Sequence, residues 1–246
     1  MAIKRGPDTV KDGLEFAIDA AAPRSYPGSG TSVHDLTKNQ TAATLSGTTV
    51  SNGHFSLTGQ GETDGSPTGD YIQIPGSGIT QVQAHDAGIT YEIWINPNVN
   101  ERRSLFFGAG SIRHLEVYCG SAGGNIRTEA AVQNGYSFGA NSPTGGWPLN
   151  TWSMLNIAWA PNGSTREVKW YKNGTLFHTH ANFYSGTAGT SEDFYFTEIG
   201  RATGTSAYLY ARSWSGLLNG FKVYGRTLTA DEVAQNYHAQ KTRYGL

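Results

Sequence analysis

Charge is what this chain is poorest in. Asp, Glu, Lys and Arg make up only 15% of its 246 residues and leave a net charge of −1. A chain so neutral offers no bulk attraction to nucleic acid or to an anionic bilayer, so neither is expected as a partner. Cysteine occurs once, as Cys119, and excludes an internal disulfide. No run of 18 apolar residues is present to span a membrane. The opening Met1-Ala-Ile-Lys-Arg-Gly-Pro7 has no apolar stretch of the kind that heads a secretory leader. The expectation is synthesis in a reducing cytoplasm. No Gly-x-Gly-x-x-Gly opens a helix after a strand, and no Gly-x-x-x-x-Gly-Lys-Ser occurs.

Glycine, by contrast, numbers 32, and aromatics reach 12%. Few charges with many Gly, Ser, Thr and rings suit short strands joined by tight turns, and also a surface partly covered by a partner. Strands are expected at Leu14–Asp19, Tyr71–Ile74, Ile89–Pro97, Ser104–Phe107, Leu115–Tyr118, Trp152–Trp159 and Phe194–Gly200. Ile93 and Ile95 alternate with Glu92 and Trp94, so both faces of that strand carry large groups. Asn173-Gly174 predicts a type I′ hairpin over Val168–His180. Two-residue pairing would set Trp170 against Phe177, Lys169 against His178 and Glu167 against His180, with both imidazoles on the polar face.

At the end of the chain, Leu218–Tyr224 reads as a last strand, Phe221 and Val223 facing inward. Thr229-x-x-Glu232 is a capping box, in which each side chain satisfies the other's free backbone N–H. Ala230, Val233, Ala234 and Tyr237 follow at helical spacing and predict an apolar face laid on a sheet edge or end. Residues 1–12 read as an extended arm and 13–246 as one domain, with no repeat and no linker to divide it.

The order Gly13–Tyr26, His34-Asp-Leu36, Asp70-Tyr-Ile72, Tyr91–Pro97, Trp152–Ala158, Trp170–Gly174, Ile199-Gly-Arg201 and Trp214–Tyr237 resembles the laminin-G-like, concanavalin A-like lectin and glucanase jelly rolls. The resemblance implies an all-β antiparallel β-sandwich with one short C-terminal helix. The opening Gly13–Pro23 with Tyr26-Pro-Gly-Ser-Gly30, and the ending Tyr244-Gly-Leu246, resemble the versions found in tailed-phage virion proteins. That implies a non-enzymatic virion structural protein, a capsid decoration or fibre-type component made in the host cytoplasm and displayed on the virion surface. Its partners would be other virion proteins such as a capsid or tail subunit, and a homo-oligomer, often a trimer in that setting. A lectin-like module that recognises a cell-surface glycan is the alternative, and a glycan hydrolase a remote one.

The residues themselves weigh against hydrolysis. Retaining glucanases need two carboxylates about 5–5.5 Å apart, which same-face strand positions supply. No Glu-x-Asp-x-Glu triple exists: Glu192 and Asp193 are adjacent, Asp231 and Glu232 lie in the helix cap, and Glu92 stands alone. Calcium is a ligand that the resemblance allows, and Asp64–Asp70 and Ser191–Asp193 are oxygen-rich, but no six-ligand pattern is legible and no cofactor is assigned. The better lead is aromatic. Gly135–Trp147 and Asn182–Gly186 set rings among Asn, Ser and Gly, and flat rings stack on sugar faces. Tyr136, Phe138, Trp147, Phe183 and Tyr184 are therefore the residues expected to meet a glycan or a partner. The plainer alternative for Trp147 and Trp152 is that they plug the ends of the sandwich.

Overall fold

A computed structural model describes residues 7–59, 69–75, 82–83, 88–99, 103–108, 114–119, 126–131, 137–141, 147–162, 165–185, 193–194, 196–202 and 212–246. The first strands are β1 (Leu14–Ile18), β2 (Ser32–His34), β3 (Ala42–Ser46), β4 (Thr49–Ser51), β5 (His54–Leu57), β6 (Tyr71–Gln73) and β7 (Val82–Gln83). Next come β8 (Ile89–Pro97), β9 (Arg103–Gly108), β10 (His114–Cys119), β11 (Ile126–Ala131), β12 (Ser137–Asn141) and β13 (Ser153–Asn162). β14 (Thr165–Lys172), β15 (Thr175–Ser185), β16 (Asp193–Phe194), β17 (Phe196–Ile199), β18 (Arg201–Ala202), β19 (Arg212–Ser213) and β20 (Gly216–Tyr224) complete the set. Helix α1 (Ala230–Gln240) and a 3-10 turn at Lys241–Tyr244 close the chain.

Two antiparallel sheets form the sandwich. The first runs β15-β14-β13-β8-β20-β5-β4, and the second runs β12-β11-β10-β9-β17-β6-β3-β2. β20 serves two neighbours on one side, pairing Gly216–Leu218 with β5 and Phe221–Tyr224 with β1. The changeover falls at Gly220, whose φ of +58° is open to glycine at no steric cost. Alternation then decides what is buried. Tyr91, Ile93, Ile95, Leu155, Ile157, Trp159, Val168, Trp170, Phe221 and Val223 face inward, meeting Val33, Leu45, Ile72, Leu105 and Ile199 of the second sheet. Each such side chain contributes about 1.5–3 kcal/mol by leaving water.

The outer face of the first sheet is buried as well. Trp94, Met154, Ala158, Tyr171 and Tyr224 form a second apolar layer with Leu228, Val233 and Tyr244, and the indole of Trp94 stacks on Tyr244 at 3.9 Å. The terminal helix therefore covers the middle of a sheet, not an edge or end. Its cap is the expected one, Thr229 and Glu232 each bonding the other's backbone N–H. Its buried face is rotated from expectation: Val233 and Asn236 are buried and Ala230 is exposed. The arm expected over residues 1–12 is fastened from Asp8 onward. Val10 is buried, its N–H donating to Asn236 Oδ1 at 2.7 Å and its carbonyl accepting from Tyr224 Oη at 3.2 Å.

Candidate functional site

The two segments read as aromatic loops each contain a stretch of edge strand. β12 (Ser137–Asn141) borders the second sheet and β15 (Thr175–Ser185) the first, and the two approach each other at one margin of the sandwich. Phe138 lies on β12 opposite Ala130, and Tyr184 on β15 opposite Arg166, with Phe183 beside it. The backbone thus gathers three of the five expected residues along one border. Tyr136 lies outside the described residues. Trp147 is 8% exposed, its ring edge-on to Phe177 at 5.9 Å, and Lys172 Nζ sits 5.3 Å from its centroid. Its indole closes the core beneath the margin.

The hairpin corrects the sequence reading in a way that changes the chemistry of this border. Asn173 and Gly174 both have positive φ, as the turn requires, and Tyr171 pairs with Leu176. Beyond that, Phe177 is an extra residue. Trp170 pairs with His178 and Val168 with His180, one place off the expected register. A one-residue slip turns every following side chain to the other face. His178 and His180 therefore share the face of the buried Trp170 and Val168, half-buried between the sheets, with the rings of His178 and Trp170 5.2 Å apart. Glu167 and Lys169, expected opposite the histidines, pair with each other at 2.6 Å. Desolvation, then the neighbouring His180, lowers the pKa of His178, so that imidazole is neutral near pH 7. A neutral imidazole both donates and accepts, as sugar hydroxyls require.

Several carboxylates elsewhere are committed to structure. Glu92 is fully buried, and its burial alone would raise its pKa. Lys222, Gln240 and Asn236 outweigh that and hold it below the usual range. Its Oε1 accepts from Lys222 Nζ and, at 2.9 Å, from Gln240 Nε2; its Oε2 accepts from Asn236 at 2.7 Å and Asn156 at 3.0 Å. Glu198 forms a two-point pair with Arg201 at 2.7 and 3.0 Å, and that guanidinium lies 3.4 Å above the ring of Tyr71. Glu232, clamped by Arg226 and by the cap, has its pKa lowered to about 2. Asp70 Oδ2 accepts from the Thr58 N–H and hydroxyl, both at 2.7 Å, which spends it on a turn. Asp64 and Glu192 lie outside the described residues. Among the described residues no group of three His, Cys, Asp or Glu is placed to hold a metal ion, and none of these carboxylates stands as an acid–nucleophile pair.

Sequence reasoning missed the two histidines as part of the margin, and missed Asn236, because a bulge and a buried amide leave no periodic signal.

Comparison with known proteins bears on the family and the fold. The family model described as the concanavalin A-like lectin/glucanases superfamily matches residues 64–234. No curated protein matches the chain. Among solved structures, the receptor-binding domain of botulinum neurotoxin mosaic serotype C/D is similar, with TM-score 0.61, 14% identity, and 93% of this chain against 51% of that one. The binding domain of botulinum neurotoxin DC in complex with SialylT gives 0.59 at 10% identity, covering 92% and 51%. Trypanosoma rangeli sialidase in complex with sialic acid gives 0.58 at 14%, covering 93% and 33%. This chain thus spans about half of the toxin chains and a third of the sialidase.

Proposed function

We propose that this chain, which belongs to the concanavalin A-like lectin/glucanases superfamily, is a non-catalytic carbohydrate-binding domain that meets its glycan at the margin between β12 and β15. The observation that carries the reading is the placement of His178 and His180 between the sheets beside Trp170, on the border that also holds Phe138, Phe183 and Tyr184. Rings supply stacking surface, and the neutral imidazole of His178 supplies a hydroxyl partner. Neighbours solved with SialylT and with sialic acid support carbohydrate as the ligand class. The commitment of Glu92, Glu198 and Glu232 to ion pairs supports binding without hydrolysis.

A glycan array probed with the full chain tests this, followed by calorimetry on the best binder and an assay for released reducing sugar. His178→Ala and Tyr184→Ala should each weaken binding about tenfold, or about 1.4 kcal/mol, with an unchanged circular dichroism spectrum. An empty array, unaltered affinity in both variants, or sugar release would overturn the proposal.

The setting that the chain's two ends favour is a virus particle, through the resemblance of Gly13–Pro23 and Tyr244–Leu246 to virion proteins. Antibody labelling of purified particles would place the domain on their surface or remove that reading.

A further inference from the structure

The buried carboxylate under α1 has both an amine and a carboxamide against it. Lys222 of β20 pairs across the sheet with Glu92 of β8, and its side chain is 12% exposed while that of Glu92 is fully buried. Lys222 Nζ donates to Glu92 Oε1 and, at 2.9 Å, to Gln240 Oε1 of α1. Gln240 Nε2 donates in turn to the same Glu92 Oε1 at 2.9 Å, and to the Asn236 carbonyl at 2.9 Å. Amine, carboxamide and one carboxylate oxygen thus close a ring of three hydrogen bonds. The amide carbon, one C=O bond of about 1.23 Å from Oε1, lies within about 4.1 Å of the lysine nitrogen.

This ring is more than an ion pair needs, which is only charge against charge. A single oxygen touches both the nitrogen that would attack and the nitrogen that would leave, the placement a proton carrier requires. Asn236 and Asn156 are not equivalent to Gln240. They donate to the other oxygen, Oε2, and Asn236 turns its carbonyl to the Val10 N–H. The terminal torsion of a glutamine is broad, so a modest turn presents the face of its carbonyl to the amine. Held near contact, the two groups are spared the encounter that separate molecules must make.

We infer that Lys222 and Gln240 join in a self-made isopeptide bond that ties β20 to α1, with Glu92 as the catalytic proton carrier. Lys222 passes one proton to Glu92, and the free amine attacks Gln240 Cδ, forming the new C–N bond as the C=O electron pair moves onto oxygen. Glu92 gives that proton to Nε2 and takes a second one from Nζ. The Cδ–Nε2 bond then breaks with its electron pair going to nitrogen, and the carbonyl re-forms. The departing ammonia takes the proton held by Glu92 and leaves as ammonium. An ammonium and a carboxamide have become a secondary amide and ammonium, with nothing oxidised or reduced and Glu92 restored. Each molecule does this once, so the step is a modification and not a turnover, and it makes no use of the glycan margin.

The test is intact-mass spectrometry of the denatured full chain, followed by tandem spectrometry of its tryptic digest. The wild type should be lighter than its sequence by one ammonia. Its digest should contain a branched peptide joining Ser213–Arg226 to Thr227–Lys241, uncut at Lys222. Lys222→Arg keeps the charge without a competent nucleophile, and Glu92→Gln keeps the shape without the proton carrier. Both should show the full mass and only linear peptides. Asn-Gly pairs can also shed ammonia by closing on their own backbone, so a deficit that persists in Lys222→Arg would overturn the inference. A wild type of full mass after long incubation at mildly alkaline pH, or one whose deficit comes without the branched peptide, would overturn it as well. The wild-type spectra decide the matter even where a variant fails to fold.

Discussion

The two faces of the first sheet are both buried, yet by different means. The inner face is apolar across its middle strands: Ile93, Ile157, Val168 and Val223 need only volume and shape from the opposing sheet. The outer face buries a carboxylate. Glu92, between Trp94 and Thr90 on that side, is joined to Lys222 of β20, to Asn236 and Gln240 of α1 and to Asn156 of β13. Asn236 passes the link on to Val10, so both ends of the chain are tied to one buried charge. Hydrophobic contact is indifferent to direction. A bonded carboxylate specifies which helix docks, where, and in which rotation, and it is vulnerable to any change that unpairs it.

The difference is broken most completely by removing the cover. A chain ending at Thr229 loses α1 and the 3-10 turn. That exposes Trp94, Met154 and Tyr224 and strips Glu92 of two of its four partners. The outer layer should fail on a scale comparable with the total stability of a domain, about 5–15 kcal/mol, giving aggregation or dye-binding apolar surface. A soluble truncation product with the parent's melting temperature would show that the second layer is ornamental.

Unpairing the charge is the next largest effect. Glu92→Ala leaves the partly buried Lys222 without its carboxylate and should cost about 3–5 kcal/mol, whereas Ile157→Val on the inner face should cost about 0.5–1.5 kcal/mol. The two also differ in pH dependence. The folded pKa of Glu92 lies below its ordinary 4.5, so its contribution is fully present above pH 4.5 and is lost as pH falls through the lowered value. Urea denaturation across that range should show an acid limb in the Ile157→Val variant that is shallower in Glu92→Gln. Equal limbs would assign the acid sensitivity elsewhere.

How much of this was legible follows the same division. Strict alternation reveals inner faces, so β8, β13, β14 and β20 could be read from Ile93/Ile95, Leu155/Ile157, Val168/Trp170 and Phe221/Val223. The cap of α1 is a local pattern of four residues and was equally plain. Asn236 was not, because an amide in a helix reads as solvent-facing, and its partner Glu92 is 144 residues away. The short strands β2 to β5, rich in Thr, Ser and Ala, carry too little apolar pattern to stand out. At the margin, the composition of Asn182–Gly186 suggested a loop where β15 continues to Ser185. The bulge at Phe177 then reversed the face of His178, because register depends on pairing geometry that no single strand encodes.

The smallest test asks whether the outer layer also depends on how its helix begins. Thr229 accepts from the Glu232 N–H at 3.2 Å, and Glu232 Oε2 accepts from the Thr229 N–H at 2.9 Å while Arg226 holds the same carboxylate at 2.6 and 2.9 Å. Thr229→Ala removes one half of the box and should cost about 1 kcal/mol. Arg226 keeps Glu232 in place, so the loss should be confined to the first turn of α1 and not reach Asn236. Hydrogen exchange would then speed up at Glu232 and Val233, while the Val10 amide, bonded to Asn236, keeps its protection. Faster exchange at Val10 as well would mean that the cap and the buried charge act as one unit, and that α1 leaves the sheet whole or not at all.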